Sequence, residues 1–293
     1  MIPKEVLKKI RRIQIKTDRL VNDVFAGQYE SVFKGKGMEF DEVREYFPGD
    51  DVRSIDWNVT ARTGQAHIKK FIEERQLTIM LLLDASGSCH FGTINRLKSE
   101  LIAEICAVLA FSAIKNNDRA GLIIFTDRVE KFIPPKKGFR HVLRVIREAL
   151  YYKPDSNGTD INTALEYLNM TTARRTISFL ISDFISTDDF KKALSIANER
   201  HDMIAIDVKD PKEFSLPRIG ILRARDLEYG REIEFDTRDK LFLNDYKNAA
   251  QSGFEQEQRI FKSINVDCIN VSTDKPYTDA LIKFFRTRKR RAR

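Results

Sequence analysis

The sequence predicts an α/β fold: a doubly wound, mostly parallel, Rossmann-like sheet with an N-terminal charged extension and an edge hairpin. Three observations carry this. Apolar runs at Thr78–Leu83, Ala120–Thr126, Thr176–Ser182 and Asp202–Val208 have the length and β-branched content of strands buried on both faces. Helix-length segments with apolar residues three or four apart separate them. Two of the runs lead directly into acids, Asp84 and Asp183. Ligands of an open parallel sheet sit at the C-terminal ends of its strands, so both acids are expected at one edge.

The elements follow in order. Residues 1 to about 26 place Val6, Ile10, Ile13, Leu20, Val21 and Val24 near helical spacing. This helix is expected to pack on the body of the protein; its cationic face makes a membrane surface the alternative. Residues 27–76 are polar, marked by glycines and rich in charge, and hold the single tryptophan, Trp57. Pro48-Gly49-Asp50 reads as a turn. Asp50, Asp51 and Asp56 are a candidate acid cluster with Arg53 and Arg62 as partners, and His67–Ile72 has strand character. Strand Leu77–Leu83 then leads to a helix expected from Thr93 to Asn116. Ala120–Thr126 turns at Asp127-Arg128 into Val129–Ile133, which Pro134-Pro135 is expected to stop. Helices follow at about 138–151 and 161–170, then strand Thr176–Ser182, a helix near 188–199 and strand Asp202–Val208. Ile219–Leu222 and Arg231–Phe235 suggest the edge hairpin. A helix over 238–264, a strand over 265–271 and a helix over 277–285 complete the reading. The expected division is a 1–76 extension, a 77–285 α/β domain and a 286–293 basic tail.

Composition narrows the function. Of 293 residues, 42% are hydrophobic and 32% charged, as in a water-soluble globular chain, and no apolar run is long enough to span a bilayer. Charges throughout the first twenty residues argue against a secretory signal. Cys89, Cys106 and Cys268 are distant and odd in number, which points to a reducing compartment and excludes a disulfide framework or CxxC zinc site. The expected location is cytoplasmic, with the periphery of an inner membrane as alternative. The net charge is +8, but the tail from Arg286 to Arg293 carries six basic residues and no acid, leaving the body near balance. That tail is expected to be solvated, with contact to an anionic membrane, nucleic acid or acidic partner as the functional alternative.

The chemistry centres on Asp84-Ala85-Ser86-Gly87-Ser88. A carboxylate and two hydroxyls on one tight loop suit a hard cation such as Mg2+, although a strand followed by a serine-rich cap would read the same way. Asn157-Gly158-Thr159-Asp160 precedes a helix, with Asp160 as its natural N-cap. If the loops converge, Asp84, Ser86, Ser88, Thr159 and Asp183 offer up to five oxygens, direct or through water, and leave a position for an outside carboxylate.

These three pieces, Asp84 to Ser88, Asn157 to Asp160 and Ile181-Ser182-Asp183-Phe184, resemble the metal-ion-dependent adhesion site of von Willebrand factor type A domains over about residues 77–210. The upstream GKGMEFDEVREYFPGDDVRSIDWNVTAR, ending at Arg62, and KKFIEER, starting at Lys69, resemble the signature of the bacterial "domain of unknown function 58" family. The resemblance implies a type A-like fold and a divalent cation on Asp84, Ser86, Ser88, Thr159 and Asp183, Mg2+ first and Mn2+ or Ca2+ as alternatives. It implies a binding or assembly role beside a MoxR-type AAA+ ATPase, with no established enzyme activity. The sequence departs at Cys89, where relatives often carry Met; Cys89 is expected to be a packed residue, and His90 is a weaker candidate ligand.

The leading reading is therefore a metal-dependent protein-binding module whose cation reaches an acidic side chain of a partner. A metal-dependent phosphohydrolase or nuclease is the second. Against it, Ser86 stands where an aspartyl phosphatase usually has its second acid, and no GxxxxGK or GxSxG motif is present. A nucleic-acid or membrane-surface binder acting through the basic tail is the third.

Overall fold

The computed structural model describes residues 39–72, 76–93, 96–185, 189–228 and 230–291. The expected helix of residues 1–26 lies outside them. Near the start, β1 (Glu39–Glu45) pairs antiparallel with β2 (His67–Ile72), and α1 (Trp57–Thr63) lies between them. The α/β body then runs β3 (Thr78–Asp84), α2 (Lys98–Lys115), β4 (Arg119–Phe125), β5 (Val129–Lys136), α3 (Phe139–Tyr151), α4 (Ile161–Thr171), β6 (Ile177–Ser182), α5 (Lys191–Arg200) and β7 (Asp202–Lys209). It continues with α6 (Pro211–Phe214), β8 (Ile221–Arg225), β9 (Glu232–Asp236), α7 (Lys240–Ser263), β10 (Asp267–Ser272) and α8 (Tyr277–Arg291).

The main sheet has the order β10-β7-β6-β3-β4-β5, all parallel except β5. It is the doubly wound, mostly parallel architecture expected. Strand period explains its two cores. Ile79, Leu81 and Leu83 point to one face, among Leu101, Ile105 and Leu109 of α2 and Leu281 and Phe285 of α8. Met80 and Leu82 point to the other, with Leu165 and Leu168 of α4, Leu194 of α5 and Phe261 of α7. Each such fully buried Leu, Ile or Phe favours the fold by about 1.5–3 kcal/mol. Because both faces of β3 are held this way, the position of its last residue, Asp84, is rigid.

Several expectations are corrected. Helix α2 starts at Lys98, not Thr93, because Thr93 is tied elsewhere: its amide and hydroxyl donate to the Asp210 carboxylate at 3.1 and 2.6 Å. Strand β5 continues through Pro134 and Pro135 to Lys136, since it is the sheet's edge and has a side that needs no amide donors. The β8–β9 hairpin is a separate two-stranded sheet, not an edge of the main one. The basic tail is not a free end: α8 continues to Arg291, with Arg288 paired to Asp202 at 2.5 Å and Arg291 to Asp267 at 3.2 Å.

The acids of the extension have local work. Asp50 pairs with Arg44 at 2.7 Å, where Arg53 or Arg62 was expected. That pairing holds the Asp50 carboxyl below its usual range. Asp51 caps the short turn Val52–Ser54 through the Arg53 amide. Asp56 caps α1 by accepting from the Asn58 and Val59 amides and faces Lys69 at 3.4 Å. Charge alternation in the sequence concealed β1, whose pairing with β2 is a backbone matter.

Candidate metal centre

The first loop is shaped by Asp84 itself. Its Oδ1 accepts from the Ser86 amide at 2.9 Å, turning the chain into the short 3-10 turn Gly87–His90. Its Oδ2 accepts from the Ser182 hydroxyl at 2.5 Å, on the neighbouring strand β6. The Ser86 and Ser88 hydroxyls lie 3.0 Å apart. Asp183 follows β6 directly and accepts at Oδ1 from the Ile185 amide at 3.1 Å. Between them Phe184 takes a left-handed conformation, φ 54°, which a phenylalanine rarely adopts. Its ring is anchored against Phe190 and Phe261, at 5.6 and 5.0 Å between centroids, and the Ser182 hydroxyl accepts its amide. Core packing thus holds the backbone strain that aims Asp183.

The third loop precedes α4. Asp160 caps that helix as expected, accepting from the Asn162 amide and the Thr163 hydroxyl. The Gly87 amide donates to the Asn157 carbonyl at 2.8 Å, joining this loop to the first. The Thr159 hydroxyl, however, donates to the Glu228 carboxylate at 2.8 Å.

The structure therefore brings Asp84 and Asp183 together, and Ser86 beside Ser88, while Thr159 engages Glu228. Ligand atoms of Asp84, Cys89 and Asp183 all lie within 4.8 Å of one another, and all three residues are buried. Such crowding has a cost. Burial, and then the Asp183 charge, push the Asp84 carboxyl up to about 6. Burial and the same two acids push the Cys89 thiol well above its usual range, so it stays protonated beside the oxygens as a packed residue. His90 is exposed, its Nδ1 lying 3.4 Å from the Ser86 carbonyl.

Residues that sequence reasoning missed complete the site. Lys98 is 1% exposed, and its ammonium donates to Asp183 Oδ2 at 2.6 Å and to Glu213. Burial opposes its charge, but Asp183 and Glu213 outweigh that and raise its pKa. Lys209 donates to the main-chain carbonyl of Asp183. No local signal separates Lys98 from an ordinary solvated lysine at a helix start. Glu228 is 69 residues from Thr159 in sequence.

The chemistry of the donor set fits a hard divalent cation. Two buried carboxylates converge, the Ser86 and Ser88 hydroxyls lie together on the first loop, and Lys98, between Asp183 and Glu213, leaves Asp84 without a countercharge of its own. Asp84, Ser86, Ser88, Thr159 and Asp183 are the residues that would hold it.

Comparison with known proteins finds relatives in sequence and in structure. A protein of Mycobacterium tuberculosis, described as uncharacterized, is 28% identical over 285 residues, covering 97% of this chain and 90% of its own. An aerotolerance-related membrane protein from Bacteroides fragilis superposes with a TM-score of 0.50 at 16% identity, covering 73% of this chain and 99% of that one. A von Willebrand factor type A structure from Catenulispora acidiphila aligns at a TM-score of 0.37 and 12% identity, over 49% of this chain and 35% of that one. Among the described residues of this chain, no helix is long and apolar enough to cross a membrane. The family described as "Protein of unknown function DUF58" matches residues 42–256, and the chain belongs to that family.

Proposed function

We propose that this protein is a metal-dependent protein-binding module. Asp84, Ser86, Ser88, Thr159 and Asp183 hold a divalent cation, Mg2+ first, at the C-terminal edge of the sheet. The cation supplies a positive centre that an acidic side chain of a partner completes. The partner class is a protein, with a MoxR-type AAA+ ATPase as the assembly partner suggested by the sequence resemblance. The charge-rich stretch from Glu39 to Arg62 braces the site or serves as a second contact surface, and the 77–285 body carries the site. The setting is cytoplasmic, with membrane-surface contact through the basic end as the secondary location.

One observation carries the reading: the buried carboxylates of Asp84 and Asp183, at the ends of neighbouring strands, converge within 4.8 Å, while the Ser182 hydroxyl fixes Asp84 by donating to its Oδ2. Lys98 answers only Asp183, and a second buried negative charge beside that pair costs roughly several kcal/mol unless a further cation compensates it. The test is a melt of the metal-stripped chain with and without millimolar Mg2+ or Mn2+. Cation at about a hundred times its dissociation constant adds roughly 2.7 kcal/mol of stability. Asp84→Ala abolishes that gain. An unchanged wild-type melt, together with no binding by calorimetry, ends the proposal.

A further inference from the structure

The β8–β9 hairpin belongs to no other sheet, and most of its strand residues are exposed. A two-stranded hairpin is marginal by itself in water and needs anchors. Near its base Phe235 stacks on Phe242 of α7; at its tip the anchor is the candidate metal centre. The turn is preformed: the Glu228 amide donates to Asp226 Oδ1 at 2.9 Å, and the Gly230 amide to the Asp226 carbonyl at 2.8 Å, with Gly230 at φ 71°. On one side, the Leu227 carbonyl presses on Gly87 so closely that a Cβ there would lie 2.3 Å from the oxygen. On the other side, Glu228 Oε1 accepts the Thr159 hydroxyl at 2.8 Å. The tip thus touches the first and third loops of the site at once.

We propose that Glu228 is the chain's own carboxylate ligand for this centre, seated by the hairpin where a partner's acid would otherwise enter. The inference rests on the cation reading above and deepens it. Thr159 engages one carboxylate oxygen, and a carboxylate has a second to give. The consequence is a closed state in cis: an acidic partner must displace Glu228 and lift the hairpin before it reaches the metal. Because Phe235 near the base of the hairpin stacks on Phe242 of α7, 5.4 Å between centroids, the tip can lift while the base stays seated and the two-faced core stays intact.

The test uses the full chain and Mn2+ alone as probe, by calorimetry on metal-stripped protein, with amide hydrogen exchange at Leu227 and Glu228. Wild type binds Mn2+, Asp84→Ala does not, and Glu228→Gln binds about 10–100-fold more weakly. Mn2+ slows exchange at the hairpin tip in wild type and leaves it unchanged in Glu228→Gln. Added acetate tightens Mn2+ binding to Glu228→Ala, whose ligand position is open, and has no effect on wild type. If Glu228→Gln binds Mn2+ as wild type does while Asp84→Ala fails, Glu228 is only a clasp, and the inference falls with the cation reading standing. If wild type takes up no Mn2+, both fall.

Discussion

Replacing Lys98 by Met tests the electrostatic design of the site most directly. Methionine keeps the length and removes the charge. Lys98 and Asp183 are 1% and 0% exposed at their side chains and 2.6 Å apart, so solvent screens their attraction little. Removing one partner of such a buried pair costs about 3–5 kcal/mol, because it leaves the other charge uncompensated. At roughly 2 °C per kcal/mol for a chain of this size, the cation-free melting midpoint falls by about 6–10 °C. Two further outcomes separate charge from packing. Adding Asp183→Asn to Lys98→Met recovers most of the loss, since the orphaned carboxylate goes with its partner. Saturating Mg2+ or Mn2+ stabilises Lys98→Met more than wild type, because the cation meets a carboxylate that no ammonium occupies. Circular dichroism of the helices is the appropriate probe. Trp57, the single tryptophan, is 69% exposed in the extension and does not report on the core. A Lys98→Met midpoint within about 2 °C of wild type, or no recovery in the double variant, refutes the reasoning.

Three other outcomes follow from the same geometry. The Asp84 carboxyl, pushed up to about 6 by burial and then by Asp183, holds its proton in the fold where the unfolded chain has lost it. Its contribution to cation-free stability is present below about pH 4 and is lost as the pH rises through 6, a change of up to roughly 3 kcal/mol that Asp84→Asn removes. Cation and proton compete for that group, so Mn2+ binding measured by calorimetry is about tenfold weaker at pH 5 than at pH 7.5. Gly87→Ala drives a methyl group into the Leu227 carbonyl, so the hairpin shifts at a cost of roughly 1–3 kcal/mol. Amide exchange at residues 226–228 then quickens while that of β3 stays slow; equal exchange in the variant and wild type would show that the tip does not rest on Gly87.

What the sequence by itself determined was whatever depends on neighbours along the chain. Strands β3, β4, β6 and β7 are uninterrupted apolar runs, because each is buried on both faces, and that requirement is written residue by residue. Asp84 and Asp183 were readable as neighbours because each ends such a run, and strand direction in a parallel sheet sends both to one edge. Asp160 was readable as a cap because capping reaches only two or three residues. The tertiary structure decided everything that depends on distant partners. Lys98 looks like a surface lysine until α2 sets it 85 residues back against Asp183. Glu228 looks like a charged turn residue until β8–β9 rests on the Thr159 loop. Arg288 looks like part of a solvated tail until α8 continues alongside β7 and β10 to meet Asp202 and Asp267. A charge carries no local signature of burial. Its environment is supplied by chain segments tens of residues away, and only the folded packing shows whether water or another charge will neutralise it.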